Sequence, residues 1–78
     1  MKTTLLIQLH KKGLHILELI EEADKRRMFY LENINGFAGQ FPNLKQQYQR
    51  KAENITAVKL RLFSYYQNTL NRINKIDL

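Results

Sequence analysis

The 78-residue sequence has no cysteine, no tryptophan, one proline and three glycines. Without cysteine there can be no disulfide and no thiolate metal site. A chain this short makes one small domain and buries only a modest share of its surface. With disulfides excluded and no metal-ligand pattern in view, association with another chain is the stabilising device left to it. Long apolar runs are also missing. Met1-Lys2-Thr3-Thr4-Leu5-Leu6-Ile7 starts like a secretory signal, but His10-Lys11-Lys12 interrupts it before an apolar region of sufficient length forms. No stretch reaches the length of a membrane span, so we read the chain as a soluble, cytoplasmic protein without membrane insertion.

The charge is uneven. Residues 1–35 hold six basic and five acidic side chains, whereas residues 43–78 hold seven basic and two acidic ones, within a net charge of +6. The second half therefore suits an acidic partner, or gains solubility from its charge.

Glycine and proline are scarce and concentrated at one place. Asn33-Ile34-Asn35-Gly36-Phe37-Ala38-Gly39-Gln40-Phe41-Pro42-Asn43 holds two of the three glycines and the only proline. Gly36 and Gly39 tolerate the left-handed conformations that end helices, and Pro42 cannot continue one. Asn43 followed by Gln46 resembles a capping box for the next helix. On either side the apolar residues recur at helical steps. They are Leu6, Leu9, Gly13, Ile16, Ile20, Ala23, Tyr30 and Ile34 before the break. After it come Leu44, Tyr48, Ala52, Ile55, Val58, Leu62, Tyr66, Thr69, Ile73 and Ile76. The sequence thus predicts an all-α antiparallel two-helix hairpin in a single domain over residues 1–78. One helix runs over about residues 3–34, capped by Thr3 or Thr4, the turn over about 35–42 and a second helix over about 43–76. The stripe keeps its phase across Gly13, so the first helix is expected to be unbroken. Pairing counted from the helix ends sets Gly13 opposite Ser64.

Two helices side by side bury one stripe each, and the first has more apolar surface than that. Ile7 and Leu14 point away from Leu9 and Ile20, and a helix apolar nearly all round is a buried helix. Leu60, Phe63 and Leu70 on the second helix also lie off the main stripe. Leaving such side chains in water forgoes roughly 1.5–3 kcal/mol each. The expectation is dimerisation into a four-helix bundle. Its interface would draw on Leu5, Leu6, Ile7, Leu9, Leu14, Ile16, Leu17, Leu19, Ile20, Phe63 and Leu70, against a second copy or another helical protein.

Chemistry-bearing patterns are weak. His10 and His15 stand five residues apart, whereas a helical metal pair needs a four-residue step on one face. Glu18, Glu21 and Glu22 lack the Glu-x-x-His step of carboxylate-bridged metal bundles. Asp24 and Arg27, at an i, i+3 step near the stripe, read as a mutually neutralising pair that fixes register. No catalytic, cofactor-binding or metal-binding residue emerges, so no cofactor and no enzymatic activity are expected. Phe29, Tyr30, Phe37, Phe41 and Tyr48 gather at the turn end, where aromatics commonly plug a bundle. Arg50, Arg61 and Arg72, spaced eleven residues apart, project along nearly one line with Lys75 beside it. Such a row fits an acidic protein surface or nucleic-acid phosphates, though it is sparse and more simply a solvated face. The sequence therefore points first to a non-enzymatic protein-interaction module, such as an adaptor, regulator or small chaperone-like protein. A basic nucleic-acid- or ribosome-binding hairpin is the alternative.

Overall fold

The computed structural model describes residues 1–77. Helix α1 (Lys2–Asn35) and helix α2 (Pro42–Asp77) are joined by a single 3₁₀ turn, Phe37–Gln40. The two helices lie antiparallel and form a rod 57 Å long and 12–14 Å across. Neither helix is interrupted, and α1 passes straight through Gly13.

The helix ends differ from the sequence expectation in their chemistry. α1 starts at Lys2, after Met1, with no side-chain cap, so Thr3 and Thr4 lie inside the first turn. At the other end the Gly36 N–H donates to the Asn33 carbonyl, and neither Gly36 nor Gly39 adopts a positive φ. Gly39 is required for a different reason, since a Cβ there would overlap the Ile34 carbonyl. Asn43 does not cap α2. Pro42 takes the first helical position, where its missing N–H has no intrahelical partner to lose. Phe41 is extended, as a residue before proline prefers to be. Its carbonyl accepts the first bond of the new helix from the Lys45 N–H, at 2.8 Å.

Burial follows a strict alternation of three- and four-residue steps. On α1 the seam series is Leu6, Leu9, Gly13, Ile16, Ile20, Ala23, Arg27, Tyr30 and Ile34, with Leu31 and Asn33 half-buried beside it near the turn. On α2 it is Ala52, Ile55, Lys59, Leu62, Tyr66, Thr69, Ile73 and Ile76, with Leu44 and Tyr48 leading into it. This is the repeat of a coiled-coil seam, in which each step presents a side chain to the facing helix. The seam is one side chain deep, and its well-buried apolar members are few: Leu9, Ile16, Ala23, Ala52 and Ile73, plus Ala38 beneath the turn.

Register departs from the count made at the helix ends. Gly13 lies against Tyr66 and Thr69 rather than Ser64. Val58, assigned to the stripe from sequence, is exposed, and Lys59 takes the seam position. The aromatics do not form one plug. Phe29, Tyr30 and Tyr48 form one cluster, with edge-on contacts of 5.4 and 5.1 Å between ring centres about Tyr30. Phe37 and Phe41 form another, 5.0 Å apart and largely in solvent. Ala38, small enough to fit under the turn, is the residue that closes the end.

Candidate functional site

Two sets of side chains stand out once the seam is in place: a polar layer at its edge and an apolar face beside it. The polar layer lies near mid-rod. The Lys59 ammonium donates to Asp24 Oδ1, and the Arg27 guanidinium Nε donates to Thr56 Oγ1 at 3.1 Å. Thr56 Oγ1 in turn donates to the Ala52 carbonyl at 3.1 Å. Asp24 and Arg27 therefore do not pair primarily with each other, as their spacing suggested; each reaches across to α2. The small side chains Ala23 and Ala52 on the seam leave room for the long stems of Lys59 and Arg27 to lie along it, heads outward. The hydrogen bond and charge of Lys59, aided by the charge of Arg27, hold the Asp24 carboxyl below its usual range. Sequence reasoning missed Lys59, although strict three–four alternation from Ala52 and Ile55 leads to it and not to Val58.

The apolar face flanks the seam on one side. Leu17 on α1 and Phe63 and Leu70 on α2 each follow a seam residue by one position (Ile16, Leu62 and Thr69), which in an antiparallel pair sets them on the same side. Leu14 and Leu60 lie further out on that side. Leu14, Leu17 and Leu70 border a shallow groove with His10, Gly13 and Tyr66. Exposure is 62% for Leu14, 40% for Leu17, 65% for Leu60 and 47% for Phe63, while Leu70 is half-buried. Of the other residues assigned to an interface from sequence, Leu9 and Ile16 are consumed by the hairpin's own seam, and Leu6 and Ile20 are half-buried in it. Leu5, Ile7 and Leu19 are exposed, with Leu5 and Leu19 on the opposite flank beside Lys12 and Arg26.

Arg50, Arg61, Arg72 and Lys75 are all exposed. The ion pairs among the described residues involve other groups, Lys25 with Glu21 and Lys59 with Asp24, while His15 lies 3.9 Å from Glu18. His10 and His15 do not converge. His10 borders the groove, and His15 points outward beside Glu18. Among the described residues no three histidine or carboxylate side chains gather closely enough to hold a metal ion. Neither helix is long and apolar enough to cross a membrane.

No protein-family model matches the chain, and no curated protein or solved structure shows significant similarity to it.

Proposed function

We propose that this hairpin is a non-enzymatic interaction module that self-associates, two hairpins stacking face to face as a four-helix bundle. The observation that carries the proposal is the apolar face of Leu14, Leu17, Leu60, Phe63 and Leu70, most of it in water on one side of a seam only one side chain deep. A contiguous patch of this kind marks an interaction surface. Covering it supplies the second layer that a two-helix rod lacks. Sedimentation velocity over a range of micromolar concentrations tests it, and a dimer is expected. A well-folded monomer at every concentration rejects self-association and favours a different helical protein as occupant.

The exposed arginines, without an ion pair among the described residues, support a second reading, a hairpin that binds nucleic acid or ribosomes along Arg50, Arg61 and Arg72. Binding to RNA or DNA should then weaken steeply with salt and fall when the three arginines are replaced by alanine. No binding at low salt removes it.

A further inference from the structure

The apolar face has an internal symmetry that specifies how a second copy would sit on it. Gly13 packs against Tyr66 and Thr69, so the midpoint between Leu14 and Leu17 stands at about the height of Tyr65 in a rod with 1.5 Å rise per residue. Leu60 and Leu70 lie equally far on either side of that height, and Phe63 lies within a turn of it. Leu14, Leu17, Leu60, Phe63 and Leu70 therefore share one centre, with exposed Ile7 further along the same side of α1 toward the open end. Charge on this side of α1 differs across the same centre, with Lys11 toward the open end and Glu18 and Glu21 toward the turn, Glu21 also holding Lys25 at 3.4 Å. A face whose apolar groups are balanced about a level and whose charges invert across it is complementary to its own image under a twofold axis at that level.

We propose that two copies pair about a twofold axis that crosses the rod at right angles, midway between Leu14 and Leu17, so that α1 packs antiparallel on α1 of the second copy. This rests on the self-association reading and goes beyond it in fixing orientation and register. Leu14 of one copy then stands level with Leu17 of the other, and Lys11 within one residue of Glu21. Parallel stacking of α1 on α1 would instead bring Lys11 onto Lys11 and Glu21 onto Glu21, and like charges facing each other oppose association.

The chain has no cysteine of its own, so single introduced cysteines report without background. An equimolar mixture of Leu14→Cys and a mass-tagged Leu17→Cys variant should yield the mixed disulfide on mild oxidation, while His15→Cys, on the other side of α1, should remain uncrosslinked. Because those variants trim the face itself, a second measurement leaves it intact. Lys11→Glu and Glu21→Lys should each weaken the wild-type dimer about threefold to fivefold, and the two combined should restore it. A dimer that yields no mixed disulfide, or that crosslinks through His15→Cys, overturns this arrangement while leaving self-association standing. So does failure of the combined charge swap to restore affinity. A wild-type chain that stays monomeric overturns both.

Discussion

The Tyr66 ring of α2 lies over Gly13 of α1, its Cε2 atom 3.6 Å from where a β-carbon on residue 13 would stand. Thr69 Cγ2 is 3.8 Å from the same point. The aromatic ring fills the space that the missing side chain leaves, and the helix continues through the glycine without a break. Both distances are ordinary van der Waals contact, so the position has room for a methyl group and nothing larger. Gly13→Ala should therefore stabilise the hairpin by about 0.5–1 kcal/mol through helix propensity alone. Chemical denaturation measures it, and Gly13→Leu, which would displace Tyr66, should have the opposite effect.

Gly39 behaves differently, because a β-carbon there meets the backbone carbonyl of Ile34, which cannot swing aside. Gly39→Ala should destabilise by about 1–3 kcal/mol. Gly36→Ala, whose nearest obstacle is the Glu32 carbonyl at 3.5 Å, should be milder. Thermal unfolding of the two variants side by side separates them, and equal effects would remove the steric account of Gly39.

Leu9 and Leu14 sit little more than a turn apart on α1 with opposite roles. Leu9 is buried in the seam and Leu14 is mostly in solvent. Leu9→Ala should cost about 2–5 kcal/mol of hairpin stability. Leu14→Ala should leave the unfolding of the single chain within about 0.5 kcal/mol of wild type and weaken self-association. Sedimentation and denaturation, both at several concentrations, distinguish the two losses.

The Asp24–Lys59 contact makes stability depend on pH in the acid range. The folded carboxyl has its pKa lowered from an ordinary 3.8. Its contribution is thus fully present above that value and is lost as pH falls through the lower folded value. An unfolding series descending into acid should show wild type losing stability across this window, with a shallower loss in Asp24→Asn. Identical slopes for the two proteins would show that the contact adds nothing.

The two-helix hairpin and the position of its turn were legible in the sequence, because helical periodicity and the clustering of Gly36, Gly39 and Pro42 are local properties of the chain. So was the surplus of apolar residues between Leu5 and Ile20. What the sequence left open was every question of one helix against the other. Val58 and Lys59 are neighbours on α2, and hydropathy favours Val58 for the seam. The facing helix decides for Lys59, because Asp24 receives its ammonium and the small Ala23 leaves space for its stem. That Leu9 lies on the stripe and Leu14 away from it follows from periodicity, and the packed pair adds that no second element covers Leu14. Gly13 meets Tyr66 and Thr69 instead of Ser64, a register that leaves no trace in periodicity. Periodicity specifies which residues share a face, and only packing in three dimensions sets what each face meets.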